Sequence, residues 1–249
     1  MTDISVVILT KNEEKNIYDC LESVKDFDEI VVIDDNSTDR TVEVVKSFKG
    51  KATSVYRREM NGDFSTQRNF GLDKSKNDWV LFIDADERVS KTLFNEIQNI
   101  SQSEYKGFRI RRADYMWGKE LKHGETGNIK LVRLGVKKSG KWTGKVHEVW
   151  NIDGKIGMLD GKIDHYPHQT IKEFIKEIDF YSTLRAEELN HKREKVGFFQ
   201  IIFYTKIKFI QNYFIKLGVL DGIGGFISAL MMSFHSFLVR SKLYFLNNK

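Results

Sequence analysis

"VVIDDNSTDRTVEVV", residues 31–45, runs an apolar, β-favouring segment into two adjacent carboxylates and then into a cluster of Asn, Ser and Thr. An apolar run followed by turn formers predicts a buried strand that stops at a sheet edge, with Ser37 or Thr38 capping a helix that begins near Arg40. Two acids at the C-terminal end of a buried strand are a place to hold a ligand. The segments on either side repeat the rhythm. Apolar strands are expected at Ser5–Leu9, Glu29–Ile33, Ala52–Tyr56 and Trp79–Ile83, with amphipathic stretches between them. A βαβαβαβ series predicts an α/β fold with a parallel, Rossmann-like sheet and helices on both faces. Three of the strands end in polar groups, "LTKNE" (9–13), "DDNSTD" (34–39) and "DADE" (84–87). In open sheets of this kind the ligand crevice lies at the strands' C-terminal ends, so the three clusters should converge there.

From about Ser103 the pattern changes to shorter strand-like pieces, "YKGFRIRR", "NIKLVRL", "GKVHEVW" and "GKIDHY", separated by glycine-rich turns. Pro167, the sole proline, closes this region, and from Gln169 onward the chain reads helical. The expected organisation is one domain over 1–170, with a parallel-sheet half (1–102) and a mixed half (103–170) that closes over the crevice, followed by a helical extension over 171–249. At 249 residues and 41% hydrophobic, the chain can bury a substantial core. A single cysteine, Cys20, rules out an internal disulfide, and its place within a helical pattern marks it as buried filler. That usage, with no basic-apolar-small segment at the N-terminus, predicts a cytoplasmic chain.

Charge is unevenly placed. Residues 1–170 carry 28 basic and 28 acidic side chains, whereas 171–249 carry 12 and 7, so the whole excess of five lies in the tail. Nucleic acid would call for a basic stripe with stacking aromatics; here the excess sits among long apolar helices, which favours an anionic membrane surface. From Lys195 on there are seven basic residues and one acid, Asp221. Ile223–Val239 is 17 residues with three serines and His235, short of the roughly 20 apolar residues that a spanning helix needs. An interfacial helix pair or a homo-oligomer contact is expected instead, with ordinary core helices as the remaining alternative.

"FIDADERV" (82–89) carries the sharpest chemistry. Asp84 and Asp86, one residue apart at a strand end, are hard oxygen ligands suited to Mg²⁺ or Mn²⁺, which need few protein carboxylates when substrate phosphates complete the shell. Together these motifs resemble family 2 glycosyltransferases of the GT-A fold: Thr10, Asn12 and Glu13; Asp34, Asp35, Ser37 and Asp39; Asp84 and Asp86. The likeness runs on through 64–89 and "GKVHEVW" to "LGVLDGIGGF" (217–226), and is nearest the bacterial lipopolysaccharide-core β-glucosyltransferase branch.

The resemblance implies a metal-dependent, inverting transfer of a hexose from a UDP-sugar to a saccharide or lipid-linked acceptor. A polyprenyl-phosphate acceptor, with Arg109, Arg111 and Arg112 as its phosphate cluster, and a non-catalytic nucleotide-sugar-binding module are the alternatives. A nucleotidyltransferase is disfavoured, because no glycine-rich phosphate loop follows the first strand. Asp35 is expected to meet the uracil, and Thr10, Asn12 and Glu13 the base and ribose. Arg68, supported by Gln67, should face the diphosphate, since its fork matches phosphate oxygens. Asp86 is the expected metal ligand, with Asp84 on the ribose or a metal-bound water. The base that takes the acceptor's proton is Glu148 or Asp114. His147 is a further metal or phosphate candidate, although "HEVWN" places Asn151 where a zinc-protease motif needs its second histidine. His123, His165 and His168 are candidates for the acceptor side. Asn128 stands where that branch leads one to expect an acid.

Overall fold

The computed structural model describes residues 2–100, 104–145, 148–167 and 170–248. In chain order the elements are β1 (Ile4–Thr10), α1 (Ile17–Val24), β2 (Glu29–Asp34), α2 (Thr41–Ser47), β3 (Thr53–Arg57), α3 (Phe64–Lys74), β4 (Trp79–Asp84), β5 (Glu87–Val89) and α4 (Lys91–Ile97). Then follow β6 (Gly107–Met116), β7 (Lys119–Leu121), β8 (Ile129–Val136), β9 (Gly140–Thr143), β10 (Val149–Ile152) and β11 (Ile156–His165). The chain closes with α5 (Ile171–His191), α6 (Phe198–Ile210) and α7 (Ile223–Asn247). They form two compact units: residues 1–112 with 130–165, and residues 113–129 with 166–249. That 113–129 is compact with the helices is a long-range fact that chain order does not announce.

The first unit is built on a sheet of order β3-β2-β1-β4-β8-β6-β11-β5. β1 pairs parallel with β2 and with β4, and β2 parallel with β3, as a βαβ series requires; β8 runs antiparallel to β4. The three central strands are buried on both faces, and their side chains alternate between two cores. Ile4, Val6, Ile8, Ile30, Val32, Leu81 and Ile83 face a core completed by Ile17, Cys20, Leu21 and Val24 of α1. Val7, Leu9, Val31, Ile33, Val80 and Phe82 face the other, with Leu72 of α3 and the tryptophans Trp142 and Trp150. Those indoles lie opposite one another in the β9–β10 pair, stacked at 5.3 Å, each with its edge or face 5.1 Å from Phe82. Cys20 is fully buried, and that burial pushes its thiol pKa up, away from reactivity.

The helix after β2 starts one residue later than expected, and neither Ser37 nor Thr38 caps it. Its N-cap residue is Arg40, which makes no side-chain cap; Asp39 Oδ1 accepts from Thr41 N at 3.0 Å, while the Ser37 hydroxyl accepts from Asn12 N at 2.9 Å.

In the second unit β7 pairs with the end of β6, placing Asp114 opposite Leu121. α5 opens with a reciprocal capping box between Thr170 and Glu173. α7 packs along both α5 and α6. Met116, Leu121, Phe174, Ile178 and Met231 make one apolar cluster, and Ala186, Leu189, Val239 and Leu243 another. α7 runs eight residues beyond the end expected at Val239, to Asn247, so its 25 residues are long and apolar enough to cross a membrane. The charges that would have ended it are absorbed: Arg240 lies over Tyr204 at 4.4 Å, and Lys242 Nζ donates to Asp179 and to the hydroxyls of Ser182 and Thr183.

α3 sits on the sheet through Gly71, where a Cβ would come within 2.4 Å of Val7 Cγ1 and 3.4 Å of Ile33 Cγ1. Gly71→Ala should therefore destabilise the protein by about 1–3 kcal/mol, overpacking outweighing the gain in helix propensity. The urea midpoint checks this; an unchanged or raised midpoint would mean that α3 is free to lift.

Candidate active site

Everything in this site belongs to the first unit. The loop after β1 is sewn to the loop after β2. Asp35 N donates to Thr10 O at 2.9 Å, Thr38 N to Asn12 Oδ1 at 2.8 Å, Glu13 N to Thr41 Oγ1 at 2.7 Å and Glu14 N to Asp39 Oδ2 at 3.1 Å. Asn12 and Asn36 hold left-handed backbones, with φ of 57° and 52°, a conformation that asparagine tolerates better than most residues. Asp34 and Asp35 are both buried. Asp34 Oδ2 caps Ser37 N at 3.1 Å, whereas its Oδ1 has no hydrogen-bond partner. Asp35 accepts from Met60 N at 2.8 Å and from Lys11 Nζ at 2.7 Å. The hydroxyl of Thr10 is buried and unpartnered. Asn12 is thus spoken for by the loop, while Thr10 keeps an unused polar atom beside Asp35.

At the end of β4, two arginines converge on Asp84. Arg68, on α3 and 2% exposed, donates from Nη2 to Asp84 Oδ1 at 3.0 Å and from Nε to Glu148 Oε1 at 2.7 Å. Its guanidinium lies 4.9 Å from the ring of Trp142, a face that favours a cation. Arg133, on β8 and 5% exposed, donates from Nη2 to Asp84 Oδ2 at 2.9 Å and reaches Glu87 Oε1 at 3.5 Å. Each arginine retains a buried Nη1 with no hydrogen-bond partner. Gln67 does not support Arg68; it is tied to Arg58, taking 2.6 Å from Nη1 and giving 2.7 Å to the carbonyl.

These contacts set the charge states. Burial pushes the Asp84 carboxyl up, but the Arg133 and Arg68 guanidinium groups outweigh it and hold the acid well below the usual carboxylate range. Burial likewise acts against Asp86, and His165, whose Nε2 lies 3.2 Å from Asp86 Oδ2, carries it below its ordinary value. Glu87 is fully buried, and burial raises its pKa against the pull of Arg133.

The donor set can be tested against a divalent cation. Among the described residues no group of three or more His, Cys, Asp or Glu side chains is spaced to cage a metal. Both oxygens of Asp84 are engaged by arginine, whereas Asp86 is about a quarter exposed and meets His165 through one oxygen. That fits a hard cation held by one protein carboxylate, Asp86, and completed by phosphate and water, the habit of Mg²⁺.

Of the other expected residues, Glu148 is brought to Asp84 through Arg68, and His165 to Asp86. Asp114 is buried in the second unit, as part of β6, and His123 is paired there with Asp221 at 2.9 Å. His147 and His168 lie outside the described residues. Arg133, Glu87 and Lys11 were not singled out as ligand-binding residues. The signal for Arg133 was available: an arginine inside the apolar strand "IKLVRLGV" must find a counter-charge if it is buried.

Buried carboxylates and guanidinium groups gathered at the C-terminal ends of the parallel strands mark a candidate ligand site on a mixed α/β sheet, and comparison with known proteins says which class of protein carries it. The model of glycosyl transferase family 2 matches residues 5–150. Lipopolysaccharide core biosynthesis glycosyltransferase LpsC of Rhizobium meliloti is 30% identical over 97% of this chain and 92% of its own. A Rickettsia typhi protein described as an uncharacterized glycosyltransferase is 31% identical over 98% of this chain and 87% of its own. The crystal structure of S. aureus TarS 1–349 with UDP-GlcNAc superposes with a TM-score of 0.51 at 17% identity, covering 100% of this chain and 91% of that one, and supports the fold. The chain belongs to glycosyl transferase family 2, and it is a glycosyltransferase with the GT-A type of α/β fold.

Asp84→Asn should cost about 3 kcal/mol at pH 7, because it strips the counter-charge from two buried guanidinium groups. The folded pKa of Asp84 is depressed, so its contribution is present above the unfolded value of about 3.9 and is lost as pH falls through the folded value. Urea unfolding at pH 7 and pH 3 should therefore show the gap between variant and wild type narrowing in acid. A gap that is the same at both pH values would mean that the Asp84 charge is not what the arginines need.

Proposed function

We propose that this glycosyltransferase moves a hexose from a UDP-sugar to a saccharide or lipid-linked acceptor in cell-envelope glycan synthesis, with inversion, at the cytoplasmic face of the membrane. The observation that carries this reading is Arg68, one buried guanidinium holding both Asp84, at the donor end of the sheet, and Glu148, the nearest candidate for the base. The relation to LpsC supports an envelope glycan as acceptor, and the UDP-GlcNAc complex of TarS is in keeping with a UDP donor.

In this scheme Asp35, Thr10 and Glu13 bind the uridine at the β1 and β2 edge. Asp35 accepts from the base N3–H in place of its contact with Lys11, and Lys11 is then free to turn to phosphate. The orphaned Nη1 groups of Arg68 and Arg133 supply buried donors for the diphosphate, where charge-assisted hydrogen bonds are strongest. A Mg²⁺ or Mn²⁺ ion on Asp86, when bound, stabilises the charge that develops on the leaving UDP. Glu148 takes the acceptor's hydroxyl proton on Oε2, its Oε1 being held by Arg68. The acceptor oxygen forms its bond to the anomeric carbon while the bond from that carbon to the phosphate oxygen breaks, the electron pair leaving on UDP. Attack opposite the leaving group inverts the anomeric centre.

Calorimetric titration of UDP is the test. Binding should require Mn²⁺, be abolished by chelator and fall at least tenfold in Asp86→Ala. Glu148→Gln, which keeps a hydrogen-bond acceptor for Arg68, should retain UDP affinity while losing roughly 10²-fold or more in turnover, the usual scale of general-base catalysis. UDP binding that ignores both metal and Asp86 would defeat the metal assignment, and a Glu148→Gln enzyme of undiminished turnover would remove Glu148 as the base.

A further inference from the structure

α6 and the N-terminal half of α7 leave most of their large apolar side chains outside. α7 turns Gly225, Ser228, Ala229, Ser233 and Ser236 inward, and exposes Ile223, Phe226, Leu230, Phe234 and Phe237 at helical spacing of three and four. α6 buries none of its 13 residues, and Phe199, Phe203, Ile207 and Ile210 continue as a second exposed apolar stripe that reaches Phe214. The two helices form an antiparallel hairpin: Tyr204 meets Arg240, Thr205 O accepts from Ser233 Oγ at 2.7 Å, and Phe209 lies 5.9 Å from Phe226.

The tip of this hairpin inverts the usual rule for turns. Loops are ordinarily polar because water must satisfy them, yet here the outward side chains are Phe214, Ile215, Leu217, Leu220 and Ile223, with Ile215 72% and Ile223 80% exposed. The polar groups face inward. Asp221 takes His123 N at 2.8 Å and meets its ring at 2.9 Å; Glu125 takes Lys208 Nζ at 2.8 Å and Asn212 Nδ2 at 3.2 Å; and Gly124 N donates to Lys216 O at 2.8 Å. A surface whose acids are paired on its inner side and whose outward side chains are large and apolar is suited to hydrocarbon rather than to water.

Charge selects the occupant. Asp221 is the only acid from Lys195 to the C-terminus, and it is buried, so the hairpin presents no negative side chain among its described residues. Lys206 on α6, and Arg193 and Lys195 just before it, are exposed positive groups beside the apolar face; Glu194 stands among them, and Lys192 is paired with Glu188 at 2.6 Å. A second copy would set this basic face against itself; anionic lipid headgroups would complement it. From this we infer that the α6–α7 hairpin is a membrane-docking element that lays its aromatic stripes on, and sinks its tip at Phe214–Ile223 into, an anionic bilayer. The inference stands apart from the transfer chemistry of the first unit.

The test is flotation of the full chain with vesicles of phosphatidylethanolamine and phosphatidylglycerol, against vesicles of phosphatidylcholine. Binding to the anionic vesicles should be about tenfold tighter, and the triple variant Phe214→Ser, Ile215→Ser, Leu220→Ser should lose at least tenfold. The variant gives up the edge contacts of Phe214 with Tyr213 and Phe209 but no fully buried side chain, and unchanged far-UV circular dichroism verifies that it is folded. A probe on Ile215→Cys, with the native Cys20 buried and unreactive, should shift to the blue on anionic vesicles and be quenched by lipids labelled in the acyl chain, whereas a probe on Tyr18→Cys should not. No flotation, flotation unaffected by the triple variant, or a probe at 215 that stays in water would each overturn the inference. So would a dimer in sedimentation that the triple variant dissociates, because a second copy would then cover the face.

Discussion

Taking a guanidinium group out of water is costly unless its charge is met, and much of the first unit is arranged to meet the charge of Arg68. Its side chain joins three pieces of chain far apart in sequence: α3, from which it comes; the end of β4, through Asp84; and residue 148, ahead of β10. Trp142 and Phe82 flank it, so the stacked tryptophans of the β9–β10 pair act as the wall against which the cation rests. Arg133 repeats the device from β8, closing on the other oxygen of Asp84 and on Glu87. A carboxylate gripped from two sides is both ionised and immobile, which leaves Asp86, two residues on, as the acid of this pair with room for a further ligand.

The opposite side of the same edge is rigid for a different reason. The two loops after β1 and β2 contribute side-chain acceptors to each other's backbone amides, so neither can move alone. Polar residues that look like free ligands in the sequence, Asn12, Ser37 and Asp39, are largely consumed in building the crevice. Asp35 and Thr10 stand at its floor. The division of labour is physical: short polar side chains close to their own backbone satisfy that backbone first, and even Asp35 gives one oxygen to Met60 N, while the Thr10 hydroxyl is left without a partner.

The second unit obeys the same accounting with the opposite outcome. Its acids, buried Asp221 and half-buried Glu125, are paired within the unit to His123, Lys208 and Asn212, and the small residues of α7 face inward, so Phe226, Leu230, Phe234 and Phe237 of that helix are left outside. A hydrophobic pattern with helical period shows that a helix has two faces; it does not say which face the rest of the protein will claim. In α7 the serine and glycine stripe allows closer approach of neighbouring backbones than a stripe of phenylalanine would, and packing took that side.

Strand positions, the parallel order around β1, the burial of Cys20 and the three acidic strand ends were all legible in the sequence, because alternation, apolar run length and turn residues act over a few neighbouring positions. The family pattern was legible for the same reason, its motifs being short and placed at strand ends. What the tertiary structure alone decided is which partner each charge finds. That Arg68 grips both Asp84 and Glu148, that Arg133 shares Asp84, that Gln67 serves Arg58, and that Asp39 rather than Ser37 accepts from the Thr41 amide are pairings across separations of up to 80 residues or choices among competing acceptors. Hydrogen bonds and ion pairs depend on distances of about 3 Å, and such distances exist only once the sheet and its helices have fixed where each backbone lies.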